Sequence, residues 1–167
     1  MDLVDENDSV VGESTLGDCL KDGLLHRAVA VVVSRSDGKV ILQQRSRKDP
    51  WQPGKWTLSC TGHVKKGESY EDAAARELAE ELGLRSSLAT LGKYLLPPIR
   101  EGDLTEREWV ALFTASTDAP VNVDPVELES VEGFDGPGLR AMAEGGGLTP
   151  DASLLLDEYL HLRPLRT

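Results

Sequence analysis

Basic residues are scarce in this sequence. Eighteen Lys and Arg stand against 29 Asp and Glu, a formal net charge of −11 over 167 residues. A protein that grips nucleic-acid phosphates needs a basic patch, so a nucleic-acid polymer is not an expected partner. Long apolar runs are missing too. The longest strong one, Ala28–Val33, falls far short of the ~20 residues that span a bilayer, and no membrane partner is expected. Residues Met1 to Glu6 hold neither a basic n-region nor an apolar h-region, so no signal peptide is expected. Cys19 and Cys60 are too few for a disulfide framework, which makes a reducing, cytoplasmic setting the expectation. Low-complexity blocks and internal repeats are absent. What the chain does have is 40% hydrophobic residues, enough for a core, in a length that suits one compact domain over residues 1–167. The acidity sets a condition: if this protein handles an anion, a metal must mediate.

Residues 1–25 read as a polar extension with a short extended stretch around Leu3–Val11. Ala28–Val33 is a continuous run rich in β-branched residues, the pattern of a strand buried on both faces. Ser36-Asp37-Gly38-Lys39 is a turn signal, so Val40–Gln44 reads as the returning strand of a hairpin. Asp49–Gly54, with two prolines and a glycine, is a loop, and Trp56–Val64 a further strand. Leu88–Leu96 and Trp109–Ser116 read as strands separated by a loop at Pro97–Asp103. A turn-rich crossover at Pro120–Pro125 precedes one more strand within Val126–Phe134. Two helices close the chain, a short one near Leu139–Glu144 and one capped by Thr149 with Pro150 at its first position. The order implies a mixed α/β sandwich.

The clearest helix covers residues 69–82. Ser69 is its N-cap, Glu71 and Asp72 occupy the first turn, Gly83 stops it, and Ala74, Leu78 and Leu82 form its core stripe. Its other face carries Glu77, Glu80 and Glu81 at i, i+3 and i+4, a spacing at which like charges repel. Arg76 is set about 100° round the helix from Glu77 and is not expected simply to neutralise the cluster. On many helices such a face is merely solvated. Three convergent carboxylates also suit Mg²⁺, which takes oxygen ligands and pairs them with substrate phosphates.

The flanking residues choose between these readings. Gly62, Glu68, Arg76, Glu77, Leu78, Glu80, Glu81, Gly83 and Leu84 fill every fixed position of the pattern G-x5-E-x7-R-E-U-x-E-E-x-G-U, with U aliphatic. A chance match is on the order of 10⁻⁸ at ordinary residue frequencies. Residues 62–84 thus resemble the box of the Nudix superfamily. The resemblance implies an α/β/α sandwich, a mixed sheet between helices, whose loop–helix–loop hydrolyses a diphosphate with divalent metal. It implies Glu77, Glu80, Glu81 and the Gly62 carbonyl as ligands of Mg²⁺, with Mn²⁺ an alternative. It casts Arg76 as the residue that positions Glu77 and Glu68 as the brace of the loop. Glu77 is the favoured water-orienting base, with Glu127 and Glu129, outside the box, left open. The expected partner is a small-molecule diphosphate, and the expected state a monomer or homodimer.

A second resemblance covers roughly residues 3–116. Leu24-Leu25-His26-Arg27-Ala28, Thr61-Gly62-His63 and Glu106-Arg107-Glu108 resemble the metal-binding segments of type 1 isopentenyl-diphosphate isomerases. They imply a second divalent site from His26, His63, Glu106 and Glu108, a donor set that fits Mn²⁺, Zn²⁺ or Fe²⁺. Arg45 falls where the isomerase holds the substrate diphosphate. Four departures favour a hydrolase over an isomerase. Thr61 stands at the catalytic cysteine's position, with Cys60 one residue earlier and facing the opposite way. Cys19 replaces a further metal histidine, Asp151 replaces the aromatic in Thr149-Pro150-Asp151, and the Nudix box is intact. Around the loops, Lys65 and Lys66 beside the box and Arg47, Lys48 and Lys55 near Trp51 and Trp56 read either as a substrate-recruiting rim or as ordinary loop charge.

Overall fold

The Ala28–Val33 run lies at the centre of a nine-stranded mixed sheet in the computed structural model, which describes residues 1–49, 51–123 and 128–163. The elements run β1 (Asp2–Val4), β2 (Val10–Glu13), α1 (Leu16–Asp22), β3 (His26–Ser34), β4 (Val40–Arg45), β5 (Trp56–Thr57), β6 (Cys60–His63) and α2 (Tyr70–Leu82). There follow β7 (Ala89–Leu95), β8 (Ile99–Glu101), β9 (Leu104–Glu106), β10 (Glu108–Ser116), β11 (Leu128–Phe134), α3 (Gly136–Glu144) and α4 (Pro150–Leu162). One edge of β3 pairs along its whole length with β10, in parallel, from His26↔Glu108 to Ser34↔Ser116. Its other edge is shared by β1 at His26, β6 over Ala28–Val31 and β4 at Ser34.

Alternation along β3 sorts the core into two layers. Ala28, Ala30 and Val32 join Val110, Leu112 and the α3/α4 residues Leu139, Leu155 and Leu156. Val29, Val31 and Val33 join Ala111, Phe113 and the α2 stripe Ala74, Leu78 and Leu82. Helices therefore cover both faces, the α/β/α sandwich expected. Leu78 and Leu82 are fully buried, worth roughly 1.5–3 kcal/mol each. Helix α2 begins where its sequence dictates: Ser69 Oγ accepts from the Asp72 N–H, and Gly83 ends it in the left-handed region at φ 64°. Among the described residues no helix is long and apolar enough to cross a membrane.

Several local readings need correction. The β3–β4 hairpin is paired only at Ser34↔Val40 and then splays open. Trp56–Val64 fills the opening as two short strands, β5 on β4 and β6 on β3, because buried Ser59 between them turns its hydroxyl to Ile41 O and accepts from the Val33 N–H. The expected loop at Pro97–Asp103 contains half of a second sheet, β8 with β9, turning at Gly102. Helix α1 was not expected; it is only seven residues long, and its apolar positions Leu16, Cys19 and Leu20 bury only Cys19 fully. The last strand begins at Leu128, while residues 124–127 lie outside the described residues.

The N-terminal extension is docked. Asp8 accepts from Arg27 Nε (2.6 Å), Tyr70 Oη (3.0 Å) and Lys93 Nζ, and Asp2 accepts from the Gly67 N–H (2.9 Å) in the loop before α2. These bonds tie β1–β2 to the segment that carries Glu68.

Candidate functional site

The splayed hairpin leaves room for α2 to reach the sheet, and Gly62 marks the contact. A Cβ at Gly62 would collide with the Glu77 carboxyl, so this strand position admits no side chain while Glu77 stays where it is. Two turns of α2 present Glu77 and Glu81 toward β6, while Glu80 is exposed and meets Arg76. Arg76 departs from expectation here: its guanidinium folds back among the carboxylates. Its Nε and Nη2 bind Glu68 in bidentate fashion (2.8 and 2.9 Å), Nη2 reaches the His63 carbonyl (3.0 Å), and Nη1 spans Glu77 Oε1 (2.6 Å) and Glu80 Oε2 (3.1 Å). A long planar fork bridges partners that a Cα direction alone would place apart. The Arg76 hydrogen bonds pull the Glu68 carboxyl down to about 2.

Glu81 is deeper. Its Oε2 accepts from Gln43 Nε2 (3.0 Å) and the Thr61 N–H (3.3 Å), and burial pushes its pKa up to about 7. Burial also raises Glu77. Gln43, in β4, was missed from the sequence; it is a buried polar residue inside an apolar strand, and its Oε1 has no partner. Cys60 lies in the α2-side core, and burial raises its thiol well above the ordinary range.

The second cluster occupies the other face of the sheet. Register makes it: His26 pairs across β3–β10 with Glu108, and Ala28 pairs across β3–β6 with His63. The two imidazoles stack at 5.3 Å, and one ligand atom from each of His26, His63 and Glu108 lies within 4.8 Å of the others. Glu106 is adjacent, 3.8 Å from His63 Nε2. His26 Nδ1 lies 2.8 Å from the Leu24 carbonyl, which fixes the proton there and leaves the Nε2 lone pair facing the cluster. Neither Nε2 makes an aligned hydrogen bond, but His63 Nε2 lies 3.3 Å and His26 Nε2 3.6 Å from Glu108 Oε1. Burial lowers His26. It would lower His63 as well, but Glu106 and Glu108 outweigh burial and push His63 up to about 10. Burial raises Glu108 to about 7, so in the bare protein a proton sits among these side chains, on His63.

A cavity of about 300 Å³ reaches part of each group: Thr61, Gly62, His63, Glu81, Glu106 and Glu108 line it, whereas Glu77, Glu80 and His26 are outside the lining. Arg45 lines it too, held by Asp49 (2.7 Å) and the Trp51 carbonyl (2.9 Å). Trp51 is in the wall, whereas Trp56 packs edge-on against Phe134 in the core. Lys65 is exposed and outside the lining; its N–H donates to Glu68. Lys66 pairs with Glu13, and Lys55 donates to the Gly146 carbonyl. Glu129 is exposed, 3.9 Å from Arg47, and outside the lining, while Glu127 lies outside the described residues. Cys19, 0% exposed in α1, is absent from the clustered donors. Asp151 does reach the cavity, beside Thr149, which sits at the α4 N-cap but makes no capping bond through its side chain.

A cavity rich in carboxylates repels a diphosphate unless cations intervene. The donor chemistry fits such cations at both groups: hard oxygens and a glycine carbonyl on one side, two clustered imidazole nitrogens with a carboxylate on the other.

The NUDIX domain family model matches residues 24–137. The chain is 34% identical over 128 residues to an isopentenyl-diphosphate Δ-isomerase of Serratia proteamaculans, covering 77% of this chain and 72% of that protein. It is 34% identical over 160 residues to an uncharacterized Nudix hydrolase of Pseudomonas aeruginosa, covering 94% and 90%. A crystal structure from Deinococcus radiodurans superposes with a TM-score of 0.78 at 24% identity, covering 93% of this chain and 96% of that one.

Proposed function

The chain belongs to the Nudix family, and from that premise we propose that it is a Mg²⁺- or Mn²⁺-dependent hydrolase of a diphosphate linkage, with a nucleoside di- or triphosphate or a related compound as substrate. One observation carries the proposal: Glu77 packs against Gly62 with Arg76 joining it to Glu80 and Glu68, while Glu81, aimed by Gln43 and the Thr61 N–H, lines the acidic cavity beside Gly62. Glu77, Glu80, Glu81 and the Gly62 carbonyl would hold one metal group; His26, His63 and Glu108, with Glu106 beside them, a second. Cations there offset the diphosphate's charge and acidify water. The protein's part is positional. Arg76 sets Glu77, Glu68 anchors Arg76, and Gln43 with the Thr61 N–H aims Glu81. Glu77 orients the attacking water and takes its proton at a carboxylate oxygen; the raised pKa that burial gives it makes it a better acceptor. Arg45 meets the far phosphate.

A second reading, isopentenyl-diphosphate isomerase, is favoured by the His26–His63–Glu108 cluster and by the names of several relatives. Against it, Thr61 lines the cavity where that chemistry wants a thiol, and Cys60 belongs to the opposite layer. The test is a product screen by mass at mildly alkaline pH with Mg²⁺ or Mn²⁺. Its panel holds nucleoside di- and triphosphates, dinucleoside polyphosphates, nucleotide sugars and isopentenyl diphosphate. Turnover of one diphosphate class is expected; an isomerised C5 product with no hydrolysis would transfer the assignment to the second reading.

Metal binding at the histidine cluster also has a proton signature. With His63 protonated up to about 10, cation entry between pH 7 and 9 should release about one proton. Calorimetry in buffers of differing ionisation enthalpy reads that number directly. His63→Ala should remove the signal, and binding without proton release in the wild type would contradict the assigned state of His63.

A further inference from the structure

The β1–β2 hairpin precedes residues 24–137, the span the family model matches, yet it grips the loop that opens the box. That loop turns at Lys65-Lys66-Gly67-Glu68. The Glu68 N–H closes the turn on the Lys65 carbonyl (3.0 Å), and Gly67 takes the left-handed region at φ 72°. This turn presents Glu68 to Arg76. Lys65, Lys66 and Gly67 are all exposed, so no apolar burial holds the turn in place and its position depends on polar contacts.

The hairpin supplies those contacts from both of its ends. Asp2 and Glu13 are directly opposite one another across β1 and β2. Two like charges in that relation destabilise a hairpin. Here they meet the two central residues of the turn: Asp2 Oδ2 accepts from the Gly67 N–H (2.9 Å), and Glu13 pairs with Lys66 Nζ. The lysine pair is exposed and contributes little, whereas the Asp2 bond fixes a backbone peptide of the turn itself. At the other end, Asp8 stands in the left-handed region at φ 60°. Its Oδ1 accepts from Arg27 Nε of β3 (2.6 Å) and Tyr70 Oη (3.0 Å), and its Oδ2 from Lys93 Nζ of β7. Tyr70 is the first residue of α2, and the Arg27 and Lys93 cations lie 5.5 and 5.3 Å from the centre of its ring. Glu68 is therefore bracketed, by Asp2 at residue 67 and by Asp8 at residue 70. From Glu68 the bonds continue to Arg76, and from Arg76 to Glu77 and Glu80.

We infer that the β1–β2 hairpin is a clamp on the box, with Asp2 and Asp8 as positioning residues that set Glu68 and, through Arg76, the Glu77 carboxylate for cation binding. This rests on the metal-dependent reading. The test is calorimetric titration of the full chain at pH 8 with Mn²⁺ alone as the probe. Wild type should show two classes of site, one removed by Glu81→Gln and the other by His63→Ala. Asp2→Ala and Asp8→Ala should each weaken the Glu81-dependent class by roughly 10-fold, the effect of losing a partner that orients a metal ligand. The His63-dependent class should keep its affinity, which a general loosening of the fold would not allow. Asp2→Asn and Asp8→Asn keep an acceptor oxygen, and asparagine tolerates the backbone of position 8, so both should restore wild-type binding. Asp2→Ala deletes a single exposed hydrogen bond and decides the matter even where Asp8→Ala unfolds; circular dichroism checks both. Unchanged affinity of the Glu81-dependent class in the alanine variants, or an equal loss from both classes, overturns the clamp. Wild-type Mn²⁺ binding that Glu81→Gln leaves untouched overturns the metal assignment of the box, and the clamp with it.

Discussion

Glu81→Gln should cut metal-dependent turnover by roughly 10³-fold, the scale of losing one group that stabilises transition-state charge, while making the metal-free protein more stable. The two halves share one cause. Glu81 is a buried carboxylate aimed by Gln43 Nε2 and the Thr61 N–H, which is what a cation ligand requires and what an apolar layer resists. Its pKa is about 7 in the fold against 4.5 for a free side chain. Between those values the folded state holds a proton that the unfolded state has lost. Stability therefore falls as pH rises from about 4.5 through about 7, and the full cost is present above 7. The shift corresponds to roughly 3 kcal/mol. An amide removes the charge, keeps an acceptor for Gln43 Nε2, and offers a donor to the partnerless Gln43 Oε1. Urea unfolding with chelator at pH 8 should show the gain, and at pH 5 wild type and variant should converge. A variant that is less stable at pH 8, or still active with Mg²⁺, would remove Glu81 from the role given to it.

The second large effect belongs to Gly62→Ala. No positive φ is recorded at Gly62, so the backbone tolerates a side chain there; the obstacle is Glu77. A methyl group would occupy the space of the Glu77 Cγ, Cδ and Oε1 atoms. The layer cannot yield easily, because β6 is held on β3 from Val31↔Cys60 to Ala28↔His63. Glu77 must leave, breaking its 2.6 Å contact with Arg76. Overpacking of this kind costs about 1–3 kcal/mol. Turnover should fall by about 10²-fold or more, since a misplaced reacting group alone costs that much. Steady-state kinetics beside urea unfolding separates the two losses. Near-normal turnover in the alanine variant would mean that Glu77 need not approach β6.

Legibility in the sequence varied with how locally each feature is determined. Helix α2 could be read with its caps, its buried stripe and its acidic face, because all three depend on spacings of three and four residues. Arg76 could be read as a member of the site but not as the hub joining Glu68, Glu77, Glu80 and His63. Its reach depends on where the loop before α2 folds back. Helix α1 has caps at Thr15 and Gly23 and apolar Leu16, Cys19 and Leu20 between them, but seven residues with an interior Gly17 give the helical period too little length to register. The strands β8 and β9 are three residues each, too short for alternation to register. Gln43 gave one faint signal, a polar residue in an apolar strand, and nothing in its neighbours pointed to Glu81, 38 residues away.

From its sequence alone this chain was determined to be an acidic α/β protein with an intact Nudix box, hence one whose helix carries three carboxylates within two turns. Those properties reside in charge balance and in contacts within a few residues, where spacing dictates geometry. The resemblance grouped His26, His63, Glu106 and Glu108, but the tertiary structure supplied the reason they meet: parallel pairing of distant strands sets His26 beside Glu108, whose carboxylate lies 3.3 Å from His63 Nε2. It also decided that this cluster and α2 approach one cavity from opposite faces of a sheet, and that Thr149 turns its hydroxyl inward instead of capping its helix. Register between segments some eighty residues apart determines which side chains meet, and a strand one residue out of register would send each of them to the other face.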